Sequence, residues 1–193
     1  MIIRRPKTSD NEQIFKCFTK AQITRAEAIS GNPKTGFLDY PLSFPELSER
    51  VIDEFSLVLE EKGRVIGYVI AYRIGDISLL NSGKTDTIHQ RIRKLPANIV
   101  YVDQLYLNPR LPVFVLGRST DTWEHSLRSS NIPAVITAIP QNPWQNRSST
   151  RFVLARGFSK ESSVEADEIR FDLFAKRYLS PNKNYQHYGS LRF

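Results

Sequence analysis

Ile99-Val100-Tyr101-Val102-Asp103-Gln104-Leu105-Tyr106-Leu107-Asn108-Pro109 is the stretch on which the reading of this chain turns. It opens with β-branched and aromatic residues and ends at Asn-Pro, which together spell a strand over Asn98–Leu107 followed by a stop. Downstream, Gly117–Ser130 reads as a helix with Leu116, Trp123 and Leu127 on one side. Ala134–Ile139 is a short buried strand, and Asn142-Pro143 a turn. A helix over Arg147–Arg156 follows, with Gly157 as its C-terminal cap. Glu168–Ala175 alternates Ile169, Phe171 and Leu173 and gives a last strand.

Upstream, Ile2 and Ile3 form a short strand closed by Pro6. Ser9 and Glu12 make a capping-box pattern for a helix whose apolar face is Ile14, Cys17, Phe18 and Ala21. Residues 30–42 carry Gly, Pro, Asn and Asp and read as a loop. Ser43 and Glu46 open a second helix with a stripe of Leu47, Val51 and Ile52. Phe55–Glu61 and Arg64–Ile74 flank Lys62-Gly63 and predict a hairpin. Residues 75–97 read as a polar insertion and candidate flap, with a short helix near Thr87–Lys94 exposing Arg91, Arg93 and Lys94. The order β-α-α-β-β-β-α-β-α-β predicts an α/β protein of the α+β kind, with a mixed sheet flanked by helices.

Composition narrows the class. The 193 residues suit one domain, 1–177, with a C-terminal tail, 178–193. No apolar run approaches the roughly 18–20 residues of a membrane span. Met1–Lys7 leads into no apolar stretch of the signal-peptide kind. One cysteine, Cys17, excludes an internal disulfide and suits the cytoplasm. On a helix face, it reads as core before nucleophile. His89, His125 and His187 have no ligand-like spacing, so no metal is expected. The net charge of +7 lies wholly in residues 84–193, with 16 basic and 9 acidic side chains, against 11 of each before them. That is either a solvated basic face or a surface for an anionic cofactor, nucleic acid or an acidic protein.

The order of elements, together with Leu105-Tyr106-Leu107-Asn108-Pro109, Asn146, and Gly157-Phe158 eleven residues later, resembles the GNAT superfamily of N-acetyltransferases. The resemblance runs to about Arg177 and is strongest over Val100–Phe158. It implies a twisted mixed sheet of about six to seven strands. It also implies acetyl-CoA as co-substrate, with acetyl transfer to an amine by direct attack in a ternary complex. On that reading Leu105, Tyr106 and Leu107 contact the pantetheine arm. Val113, Val115, Leu116, Gly117, Arg118 and Ser119 surround the pyrophosphate, and Asn146 is a cofactor contact as well as a helix N-cap. Asp103 is the candidate general base, its alternative being a structural or solvent-facing carboxylate. Tyr101 and Tyr106 either shape the acceptor pocket or pack in the core.

The chain departs from the family pattern at Pro112, where a Gln or Arg is usual, and at Val115, where a glycine is usual. Val153 stands where many members carry a general-acid tyrosine. These departures support a second reading, a catalytically inactive GNAT-fold module that contacts nucleic acid or an acidic partner. A third reading draws on Tyr178, Lys183, Tyr185, His187, Tyr188 and Arg192, a tail composition able to stack on bases, its favoured alternative being a disordered tail or one that packs on its own domain. The acceptor, whether small molecule, protein or peptide, is not legible, and a homodimer is compatible with the sequence.

Overall fold

The structure is a computed structural model. It describes residues 1–24, 26–27, 30, 42–51, 54–81, 86–108, 110–111 and 113–178, with only the backbone of 113–116. The expected loop at 30–42, Ile52 of the apolar stripe, Pro109, Pro112 and the tail beyond Tyr178 therefore fall largely or wholly outside the described residues.

The elements run β1 (Ile2–Arg4), a 3-10 turn (Thr8–Asp10), α1 (Asn11–Ala21), α2 (Phe44–Val51), β2 (Leu57–Glu61) and β3 (Arg64–Arg73). A second 3-10 segment (Ile74–Leu79), α3 (Thr87–Ile92), β4 (Val100–Leu107) and α4 (Val113–Ser129) follow. The chain ends in β5 (Ala134–Asn142), α5 (Arg147–Ala155), β6 (Ser159–Ala166) and β7 (Ile169–Arg177). Seven strands form one mixed sheet in the order β1-β2-β3-β4-β5-β7-β6, flanked by helices. The α/β expectation holds.

The chain divides into two compact units, Met1–Tyr72 with Val102–Ser126, and Arg73–Tyr101 with Leu127 onward. In the first, β1 pairs antiparallel with β2, and β2 with β3, through the Lys62-Gly63 turn. Both turn residues have positive φ, 49° and 75°, as the two-residue hairpin turn demands. The Ser9–Glu12 box is not what starts α1. Asp10 is the N-cap residue, without a side-chain bond into the helix; its carboxylate instead braces the preceding 3-10 turn, accepting the Lys7 N–H at 2.6 Å while Arg4 grips both its oxygens. The second box forms as read: the Ser43 N–H and hydroxyl both donate to Glu46, at 2.7 and 2.6 Å. Leu47 and Val51 are buried behind it.

In the second unit, β7 pairs antiparallel with both β5 and β6. Strand β6 is the one the sequence reading passed over. It is an edge strand, and its Ser, Lys and Glu residues show no apolar alternation. Its hairpin turn, Asp167-Glu168, takes φ of 50° and 64° without the glycine that normally announces such a turn. The insertion at 75–97 is less polar than expected in its packing. Its ends are tied by the Ile74 N–H to Ile99 and the Gly75 N–H to Ala97, at 2.9 and 3.0 Å. Ile77, Ile88, Ile92 and Leu95 are buried, while Arg91, Arg93 and Lys94 are exposed, as the sequence reading has them.

Candidate functional site

The described candidates lie on β4 and α4 in the first unit and at the start of α5 in the second. Strand β4 is held against β3 by glycine. A Cβ on Gly67 would meet Leu107 Cδ2 at 2.9 Å and the Tyr106 carbonyl oxygen at 3.1 Å, so a side chain there would require both to shift. The Asn108 N–H then donates to the Ile66 carbonyl at 3.0 Å. Asn108 Oδ1 accepts the Arg110 N–H at 3.0 Å, and its carbonyl accepts the Leu111 N–H at 2.9 Å. This local turn ends β4, and α4 begins at Val113, two residues beyond Leu111.

Helix α4 begins four residues before the sequence reading placed it. Val113, Val115 and Leu116, expected in a loop, form its first turn together with Phe114. Val115 therefore has right-handed helical backbone, and the strain that a positive φ would impose on a β-branched residue does not arise. Four N–H groups at such a terminus have no partner within the helix and carry its positive dipole end. Gly117 lies within the helix, half-buried, and a Cβ there would meet nothing within 4 Å. Its carbonyl accepts the Thr120 hydroxyl at 2.8 Å. Arg118 is exposed and Ser119 buried.

Asp103 sits midway along β4 with a side chain 9% exposed. Its Oδ2 accepts from Arg50 Nη1 at 2.8 Å, and the Arg50 side chain is wholly buried. Sequence reasoning missed Arg50. The signal was available, since Arg50 falls on the same helical stripe as Leu47 and Val51. Nearby, the Tyr68 hydroxyl donates to Gln104 Oε1 at 3.3 Å, and the Tyr68 ring stacks on Tyr106 at 5.7 Å. Burial holds both phenols above the ordinary tyrosine range. Tyr101 belongs to the second unit, where it is buried edge-to-face against His89. His89 Nδ1 lies 3.4 Å from Asp86 Oδ2. His125 is exposed. Among the described residues no group of His, Cys, Asp and Glu is placed to hold a metal ion.

In the second unit, Asn146 is the N-cap of α5. Its Oδ1 accepts the Ser149 N–H at 3.0 Å, and its own N–H donates to Pro140 at 3.1 Å. The helix ends at Gly157, φ 80°, with the Phe158 N–H donating back to Val153 at 3.1 Å. Val153 is buried against Ile139 and Phe174, with Phe152 and Phe158 alongside, and no ionisable group stands in its place. Tyr178 is buried, as the alternative of a tail that packs on its own domain expects, and not as a residue free to stack on bases. Its N–H donates to Pro133 at 2.9 Å, and the Arg128 guanidinium covers its ring at 4.7 Å. The remaining tail aromatics lie outside the described residues.

No family profile matches the chain, and no curated protein matches it by sequence. Solved structures do match. A polyamine N-acetyltransferase of Drosophila melanogaster that catalyses formation of N-acetylagmatine superposes with a TM-score of 0.61 at 16% identity, covering 92% of this chain and 99% of its own. PaiA N-acetyltransferase from Thermoplasma acidophilum, in complex with coenzyme A, gives 0.59 at 15% identity, covering 92% and 98%. A GNAT-family acetyltransferase from Listeria monocytogenes gives 0.60 at 12% identity, covering 92% and 94%. At these identities the likeness is one of fold, and the fold is that of the GNAT N-acetyltransferases.

Proposed function

We propose that the chain is an N-acetyltransferase that moves an acetyl group from acetyl-CoA to an amine by direct attack in a ternary complex. The observation that carries this is the succession of β4 and the N-terminus of α4 within six residues, in a chain whose fold matches acetyltransferases over nine-tenths of its length, one of them bound to coenzyme A. A helix N-terminus suits an anion, because its free N–H groups and its dipole both favour negative charge. Val113, Val115 and Leu116 stand in that first turn and are assigned to the anion through the backbone, so valine at 115 is tolerated there, and Gly117 follows them as a further assigned contact. Arg118 adds an exposed cation and Ser119 completes the set. The backbone of Leu105, Tyr106 and Leu107 would take the pantetheine arm, and Asn146 is assigned as a further cofactor contact.

Acetyl-CoA supplies an activated thioester. The acceptor nitrogen forms a bond to the acetyl carbon, the bond to sulfur breaks, and the nitrogen gives up a proton. Asp103 is assigned to receive that proton. The thiolate takes a proton from water, because Val153 in its apolar cluster has none to give. The neighbours that act on agmatine and polyamines favour an amine acceptor for this chain too.

The same Val153 favours a second reading, in which the fold is kept as a non-catalytic module. Calorimetry with acetyl-CoA separates the two. A Cβ at Gly117 meets nothing within 4 Å, so Gly117→Trp adds bulk at the proposed contact, with a thermal melt confirming that the variant is folded. Wild-type protein is expected to bind acetyl-CoA and the variant to lose binding at least about tenfold, as obstruction of a contact surface does. A folded wild-type protein that takes up no acetyl-CoA would sink the enzyme reading and leave the module.

A further inference from the structure

We infer that Arg50 is a positioning residue for the acetyl-transfer step, acting through Asp103. The inference rests on the reading of Asp103 as the proton acceptor.

Both ends of the pair stand on constrained backbone. Arg50 lies in α2, whose first turn is fixed by the Ser43–Glu46 box. Leu47 and Val51 are buried on either side of it on the same face. Asp103 lies in β4, which the Gly67–Leu107 approach and the bond from Asn108 to Ile66 hold against β3. The Arg50 side chain is wholly buried, yet its guanidinium ends 2.8 Å from a carboxylate that keeps some access to solvent. The buried end is thus the holder and the accessible end is the one held.

Stability alone does not account for this arrangement. Desolvating a guanidinium and a carboxylate offsets most of their attraction, and apolar residues of similar volume commonly serve a fold as well. What the pair does supply is direction. One Nη–H on Oδ2 restrains the rotamer of Asp103. That leaves Oδ1 to face a reacting group, and misplacement by a fraction of an ångström is costly in proton transfer. Tyr68, which interacts electrostatically with Asp103, and the Tyr106 phenol and Cys17 thiol that interact with Tyr68, are titratable groups of this part of the unit, and Glu46 interacts with Arg50. Burial raises the two phenols and the thiol, so none of them is a ready proton acceptor. Lysine in place of Arg50 would keep the charge but lose the planar, rigid fork.

The test is a double-mutant cycle of Arg50→Lys, Asp103→Asn and both together. The assay follows acetyl transfer from acetyl-CoA to agmatine and to spermidine, and thermal melts confirm that each protein is folded. Asp103→Asn should lower kcat about 100-fold, the usual scale of general-base loss. Arg50→Lys should lower kcat about tenfold and leave KM for acetyl-CoA within about twofold. Introduced on top of Asp103→Asn, the Arg50 change should have no further effect on kcat, because the group it positions is gone. Wild-type kcat in folded Arg50→Lys overturns the inference. So does an equal loss of kcat in both backgrounds, which is what a general structural role produces. A folded wild-type protein that acetylates neither amine overturns the acetyltransferase reading for these acceptors and this inference with it. That outcome is recognisable before any variant is compared.

Discussion

Asp10 and Arg4 together hold three pieces of the first unit. Arg4 donates to both Asp10 oxygens, at 2.7 and 2.9 Å, and also to Glu60 on β2 at 2.6 Å. One guanidinium thereby ties the first strand, the second strand and the start of α1. The Arg4 hydrogen bonds, helped by the Lys7 N–H and opposed by burial, hold the Asp10 carboxyl below its ordinary value of 3.8. A carboxyl lowered on folding adds stability that is complete above its unfolded value and is lost as pH falls through the folded one. Wild-type stability should therefore decline below about pH 4 partly through Asp10. Asp10→Asn should cost about 2 kcal/mol at pH 7 in urea denaturation, a figure scaled to charge-assisted bonds with a partly exposed partner, and should flatten the decline in acid. Cys17 shows the opposite logic. Its Sγ lies 3.6 Å from the Val65 carbonyl oxygen, and burial raises its thiol, so it behaves as a small apolar residue and a poor nucleophile.

Among the elements, α5 has well-specified ends. Asn146 caps its start and Gly157 its finish, the latter with φ of 80° and the backward bond from Phe158 to Val153. A Cβ at Gly157 would meet only the end of Lys176, so the cost of a side chain is conformational rather than steric. Gly157→Ala should lower stability by about 1 kcal/mol, read as a shift in denaturation midpoint with unchanged slope. Helix α4 teaches a different lesson. Its sequence was legible from Gly117 onward, where Trp123 and Leu127 repeat. Its first turn, Val113 to Leu116, is rich in β-branched and aromatic residues, which on local preference argues against helix. Strand β6 was illegible for want of an apolar face, since an edge strand borrows its order from the strand beside it.

For the whole molecule, ligand linkage gives a test that needs no acceptor. Acetyl-CoA at about a hundred times its Kd should stabilise the folded chain by about 2.7 kcal/mol. For a chain of this size that corresponds to a rise in Tm of about 5–10 °C, absent in Gly117→Trp. The +7 charge, carried entirely by the second half, is in keeping with an anionic co-substrate. No described helix is long and apolar enough to cross a membrane.

Local signals in the sequence determined the hairpin at Lys62-Gly63, the Ser43–Glu46 cap, the β4 strand and its stop after Leu107, and the Asn146 and Gly157 ends of α5. Each depends on residues within a few positions of one another, where backbone preference and side-chain capping act without help from the rest of the chain. The same spacing carried the resemblance to the acetyltransferase fold. Only the tertiary structure decided that Arg50 meets Asp103 across 53 positions of sequence, that Val153 is core, that Tyr178 lies under Arg128, and that β6 exists at all. Those outcomes depend on which surfaces are brought together, and burial sets the value of a charge or a hydroxyl only after the fold has formed.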